Sequence, residues 1–161
     1  MKFEKVSFKE FKSHANSNMK CNADEYDNIV MPKRSTAGSA GYDIASPVNI
    51  TIPAGCERTI PTGIKAQIDN GYYMNLYIRS SLAIKKNLEL VTGVSVIDSD
   101  YYDNEKNEGH IMMPVRNKGA RPVFISAGER IAQGVFCPYA LCDDDTATEK
   151  RVGGIGSTGE K

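Results

Sequence analysis

The chain has 161 residues, with 20 Lys plus Arg balanced by 20 Asp plus Glu, enough for one domain with its own core and too few for two ordinary ones. A balanced charge gives no global field to hold a polyanion, which excludes a long nucleic-acid partner. No apolar run approaches the length that crosses a bilayer, and the charged start MKFEKVSFKEFK lacks the apolar stretch of a signal peptide. The reading is a cytoplasmic protein without a membrane partner.

Cys21, Cys56, Cys137 and Cys142 are read as free thiols, because a cytosolic domain of this size needs no covalent staples. His14 and His110 are the only histidines, neither begins an H-x-E motif, and Cys137 and Cys142 lack C-x-x-C spacing. No zinc site is expected.

In chain order, Ser7 followed three residues later by Glu10 forms a capping box, which opens a short helix reaching Ala15. Residues 16–27, NSNMKCNADEYD, are polar and turn-prone, so residues 1–29 read as a peripheral extension. From Ile29 onward apolar residues recur at a period of two, as in Val48, Ile50 and Ile52, then Ile64, Ala66 and Ile68, then Tyr72, Met74, Leu76 and Ile78. That period belongs to half-buried strands. Turn residues separate them at Pro53-Ala54-Gly55, Pro61-Thr62-Gly63 and Asp69-Asn70-Gly71, whose Asn-Gly pair suits a type I′ hairpin. Further strands are expected over 88–97, 110–115, 122–125 and 131–136. Many short strands with little helix predict an all-β antiparallel sandwich or jelly roll. The end, RVGGIGSTGEK, is rich in glycine, so ordering it costs much entropy with little side chain to bury, and alone it is expected to be mobile.

Four segments carry chemistry. Residues 154–159 match the G-x-G-x-x-G pattern, but that loop must open a helix inside a βαβ unit, and Glu160 rather than Lys excludes a P-loop. What survives is a nest of glycine N–H groups, the Ser157 and Thr158 hydroxyls and Arg151, able to wrap phosphate oxygens; a solvated tail is the alternative. Arg79-Ser80-Ser81 offers a forked cation and two hydroxyls to an anion, or is simply a surface strand end. Asp98-Ser99-Asp100-Tyr101 follows an apolar run, and a carboxylate with one partly desolvated side can take a proton from water; an acidic turn capping a strand is the bland reading. Residues 37–43 place two glycines before Asp43, suited to close backbone approach and a metal-linked water, or to a plain turn.

Together and in order, AGSAGYDI, RSS, VIDSDYY, GERIAQ and RVGGIGSTG resemble the five motifs of the trimeric dUTPase family. The resemblance covers roughly residues 30–161; residues 1–29 lie outside it, and residues 102–109 stand as a local insertion. It implies a distorted jelly-roll, or β-clip, core over 30–148, with a short N-terminal helical extension and a flexible C-terminal arm over 149–161. It implies a homotrimer whose three active sites are each built from all three chains, hydrolysing dUTP to dUMP and pyrophosphate with Mg2+ as cofactor.

By matched position, Asp98 activates the attacking water and contacts the deoxyribose. Tyr101 packs on that sugar and excludes a 2′-hydroxyl. The hairpin holding Thr92, Gly93, Ser95 and Ile97 reads uracil through its backbone. Arg79, Ser80, Ser81 and Gln133 bind the phosphate chain; Arg151, Gly156, Ser157 and Thr158 close on its γ end. Asp43 touches the metal through water, with Mg2+ held mainly by substrate phosphates.

Four positions depart from the family pattern. Ile155 stands where an aromatic stacks on uracil, replacing stacking worth roughly 1–3 kcal/mol by aliphatic cover. Thr92 stands for asparagine, Ser95 for glycine and Ile78 for proline; a positive φ at Ser95 would be strained. The competing readings are a dUTPase-like nucleotide-dependent regulatory protein with little turnover, and a dCTP deaminase relative.

Overall fold

Alternating apolar residues build short strands that must bury one face, and the chain stacks them into a jelly-roll-like all-β core. The computed structural model describes residues 1–149 together with Arg151 and Gly153. In order these form β1 (Lys2–Lys5), α1 (Phe8–Lys12), α2 (Ala23–Asp27), β2 (Tyr42–Ala45), β3 (Ile50–Ile52), β4 (Glu57–Pro61), β5 (Ile64–Gln67), β6 (Tyr72–Ile78), α3 (Ser80–Lys86), β7 (Leu88–Leu90), β8 (Ser95–Ile97), β9 (Met112–Asn117), β10 (Val123–Ile125) and β11 (Arg130–Pro138). The strands make a four-stranded sheet in the order β2-β11-β6-β8, a three-stranded sheet β4-β9-β7, and the pairs β10-β3 and β1-β5, all antiparallel. Ile52, Ile60, Met74, Leu76, Ile111, Val115, Ile125 and Ile131 meet between them, fully buried. Each such side chain contributes about 1.5–3 kcal/mol by leaving water. Among the described residues no helix is long and apolar enough to cross a membrane.

The run expected as one strand over 88–97 divides in two. Gly93 adopts φ +69, a conformation open to glycine at no steric cost, so β7 pairs with β9 while β8 crosses to the edge of the other sheet against β6. Asp69-Asn70-Gly71 is likewise a corner and not a type I′ hairpin. Only Gly71 has positive φ, the Tyr72 N–H donates to the Asp69 carbonyl, and β5 pairs with β1 instead of β6. Type I′ needs two positive φ values; one at this position makes the corner type II-like.

Residues 1–29, read as peripheral, contribute five side chains to the core. Val6, Phe11, Met19, Cys21 and Ile29 are buried in the same apolar cluster as the sheets. Gly63 makes room for them, since a Cβ there would lie 2.4 Å from Cδ1 of Ile29. The Ser7 hydroxyl caps α1 by accepting from the Glu10 N–H, but the reciprocal half of the expected box is absent. The Ser7 N–H donates at 2.7 Å to the Glu108 carboxylate, far along the chain. All four cysteines are free thiols, and burial pushes Cys21 up to about 11.

Candidate active site

Strand β8 delivers the acidic segment. Ile97 lies opposite Met74 of β6; Asp98 then leaves the sheet with extended backbone, and a single 3-10 turn, Ser99–Tyr101, folds Tyr101 inward to 5% exposure. The Asp98 side chain keeps 48% exposure, so it meets water on one side. Arg151 donates to Asp98 and, at 2.9 Å, to Asp100, and its guanidinium lies 5.6 Å from the centre of the Tyr101 ring. Tyr72, Tyr73, Asp98, Asp100, Tyr139 and Arg151 help to line a cavity of about 620 Å³. Behind Arg151 a second cavity of about 220 Å³ is walled by Thr92, Ser95, Ile97, Tyr101 and Pro114 among others. Burial raises the Tyr101 phenol above its ordinary value, outweighing a hydrogen bond from Asn107 and the charge of Arg151.

Thr92 and Ser95 face each other across the turn at Gly93, with hydroxyl oxygens 2.8 Å apart. Ser95 sits in the β8 ladder opposite Leu76 and is not among the residues of positive φ, so it carries none of the strain considered for it. The two departures from the family pattern thus touch, and together they close the turn.

A second cluster surrounds Asp43 on β2. Its carboxylate accepts from the Ser35 hydroxyl at 2.7 Å, from Arg130 at 2.8 Å and from Gln133 at 3.1 Å, with the Arg79 Nε at 3.4 Å. Burial works to raise the Asp43 carboxyl, but these hydrogen bonds and the Arg79 charge outweigh it and hold the group below the usual carboxylate range. The sequence folds this way for local reasons. A register shift in β11 between Arg130 and Ala132 is of the kind that re-aims a side chain. Gly41 lets Gln133 in, because a Cβ there would stand 3.1 Å from the Gln133 Cβ. Arg79 precedes α3 in extended conformation and donates its N–H to the Ile131 carbonyl, while Ser80 and Ser81 open the helix, both exposed.

The structure therefore brings Asp98, Tyr101, Thr92, Gly93, Ser95, Ile97 and Arg151 together, and separately Asp43, Arg79, Ser80, Ser81 and Gln133. The groups occupy opposite ends of β6: Asp98 is one step past the Ile97–Met74 pair, beside the strand's start, whereas Arg79 follows its last residue, Ile78. At a strand's rise per residue the two ends are roughly 20 Å apart. Ile155, Gly156, Ser157 and Thr158 lie outside the described residues. Sequence reasoning missed Ser35 and Arg130; Arg130 stands inside GERIAQ and was there to be read, while nothing in the spacing of Ser35 marks it.

A jelly-roll-like all-β core of short antiparallel strands, with an acid and a buried tyrosine beside one end of β6 and an Arg-Gln-Asp cluster at the other, is of the dUTPase-like fold class. Residues 27–159 match the dUTPase family model, and the chain belongs to the dUTPase family. It is 48% identical over 133 residues to the deoxyuridine 5'-triphosphate nucleotidohydrolase of Lactococcus lactis, covering 81% of this chain and 89% of that protein. It is 38% identical over 137 residues to the corresponding protein of Desulfitobacterium hafniense, covering 80% and 87%. Among solved structures, dUTPase from Streptococcus mutans superposes with a TM-score of 0.73 at 38% identity, covering 89% of this chain and 99% of that one.

Proposed function

We propose that this chain hydrolyses dUTP to dUMP and pyrophosphate, with Asp98 as general base. The observation that carries the reading is Asp98 itself, half exposed at the mouth of the larger cavity beside the buried Tyr101. The Asp98 carboxylate takes the proton of a water whose oxygen bonds to the α-phosphorus. The bond from that phosphorus to the bridging oxygen breaks, and pyrophosphate leaves. Arg151 now neutralises Asp98 and Asp100; a triphosphate offers that guanidinium a stronger bidentate partner and frees the base. Tyr101 supports the sugar, and the turn through Thr92, Gly93 and Ser95 meets the base edge.

The 20 Å between the two groups supports a shared site. One triphosphate cannot bridge Asp98 and Arg79 of the same chain at opposite ends of β6, so the phosphate grip of Arg79, Ser80, Ser81 and Gln133 serves the Asp98 of another copy. A closed homotrimer does this with three equivalent sites, the C-terminal arm from 149 onward completing each.

The donor set fits a Mg2+ ion carried in on the triphosphate. Asp43 is the one described carboxylate in the phosphate-gripping cluster, and its oxygens already accept from Ser35, Arg130 and Gln133, so it reaches such an ion only through water. Held there through Asp43 and the substrate phosphates, such an ion would supply charge neutralisation and orientation of the phosphoryl groups.

Pyrophosphate release across dUTP, dCTP, dTTP and UTP with Mg2+ tests the reaction, dUTP being the expected substrate. Asp98→Asn is expected to lower turnover by at least about a thousandfold while dUTP still binds, because the amide keeps the shape and loses the base. Turnover by the variant within tenfold of the parent would remove Asp98 from its role.

A further inference from the structure

The insertion and the N-terminal segment meet behind Tyr101. The Tyr101 hydroxyl donates to the His110 carbonyl at 2.9 Å and accepts from the Asn107 amide at 2.8 Å, so it is held by the insertion and by the residue that follows it. Asn104 shapes that loop, donating to the Tyr101 carbonyl and to Asn107 while its oxygen accepts the N–H groups of Lys106 and Asn107. The loop is itself gripped by the N-terminal segment. Glu108 accepts from both the N–H and the hydroxyl of Ser7, and the Tyr102 hydroxyl donates to Glu4.

Beneath them lies a relay. The Gly63 N–H donates to Nε2 of His110 at 2.9 Å, which fixes the His110 proton on Nδ1, aimed at Glu10 3.1 Å away. Glu10 also holds Nε2 of His14 at 2.9 Å. Glu10, His14 and His110 bring their ligand atoms within 4.8 Å of one another, the spacing of a metal site. A metal on Nδ1 of His110, however, would shift the ring proton to Nε2 and strand the buried Gly63 N–H, a loss of about 1–3 kcal/mol. The ring, wholly buried, serves as a hydrogen-bonded wedge.

We propose that residues 1–29 and the insertion 102–109 form one buttress that positions Tyr101, and that through Tyr101 they set discrimination between deoxyribose and ribose nucleotides. This rests on the proposed role of Tyr101 against the sugar. Asn107 and Glu10 are positioning residues: neither lines the two cavities around Asp98. A tyrosine ring free to tilt would admit a 2′-hydroxyl, so the buttress converts packing far from the phosphates into substrate choice.

The test compares Asn107→Ala, Glu10→Ala and the conservative Glu10→Gln, each verified as folded, by kinetics on dUTP and UTP and by amide hydrogen exchange over residues 98–104 without ligand. Expected for the two alanine variants are a KM for dUTP raised about tenfold, kcat within about twofold, a dUTP-over-UTP preference reduced about tenfold, and faster exchange confined to that segment. Glu10→Gln, which keeps an acceptor for Nδ1 of His110, restores the preference. Unchanged preference, whether or not exchange quickens, overturns the proposal. If the parent protein releases no pyrophosphate from dUTP, the proposed reaction fails by itself, and the buttress is then tested by the ratio of the dissociation constants for dUTP and UTP, expected to lose about tenfold in the alanine variants and overturning the proposal if unchanged.

Discussion

Asp43 shows how one carboxylate organises several cations. Its side chain is 4% exposed and carries Arg79 and Arg130 on its two oxygens, so removing its charge leaves both guanidinium groups without their counterion and lets Arg79 stray. Asp43→Asn is therefore expected to lower kcat/KM for dUTP roughly 10–100-fold, mostly through KM, in steady-state kinetics. His110 gives the pH dependence. Burial is the main cause that brings it from 6.5 to about 4, against the raising influence of Glu10. A depressed folded value means that the neutral ring stabilises the fold fully above pH 6.5, and that this contribution is lost as pH falls from 6.5 toward 4. The difference amounts to roughly 3 kcal/mol. Asp43 and Glu108 are held below their ordinary values of 3.8 and 4.5, so their contributions are present above those values and fade only at lower pH. Between pH 6.5 and 4.5 the change thus belongs to His110. Melting temperature is expected to drop by roughly 4–9 °C across that window, and His110→Gln, with an acceptor and a donor but no titrating ring, is expected to flatten the curve.

At the scale of elements, α1 anchors the N-terminal segment through Phe11, which is fully buried with its ring tilted against that of Tyr26, centroids 5.9 Å apart. Phe11→Ala is expected to cost about 3–5 kcal/mol of unfolding free energy in urea titration, a loss no peripheral appendage would produce. Its place in the core was hidden in the sequence because Val6, Phe11, Met19, Cys21 and Ile29 follow neither a helical nor a strand period; they converge only after β1 pairs with β5. By contrast β6 was legible to the residue, since Tyr72 through Ile78 alternates without interruption. Strand β4 escaped notice because its end, Pro61, reads as turn chemistry, and α3 because Ser80 and Ser81 are poor helix formers. The site was readable where its residues are contiguous, as from Asp98 to Tyr101. The groups that hold Tyr101 and His110 were not, for Glu10 meets His110 across a separation of 100 residues.

At the scale of the whole molecule, the proposed base Asp98 and the proposed phosphate grip around Arg79 fall at the two ends of one strand. Asp98→Asn and Arg79→Ala homomers are each expected to be inactive. Mixed after mild dissociation, they are expected to regain up to about a third of parental turnover, because a closed ring pairs the intact grip of one copy with the intact base of another. No recovery in mixed assemblies that light scattering finds to be trimeric would place both groups in one chain's site.

The position of Arg79 beyond the far end of β6 from Asp98 also ties output to abundance. In the proposed shared site a lone copy completes no catalytic centre, so specific activity is expected to climb steeply with protein concentration until assembly saturates. On that proposal, cells that make little of this chain would lose far more than a proportional share of its work, and the dissociation constant of the assembly would set the threshold at which deoxyuridine nucleotides begin to be cleared.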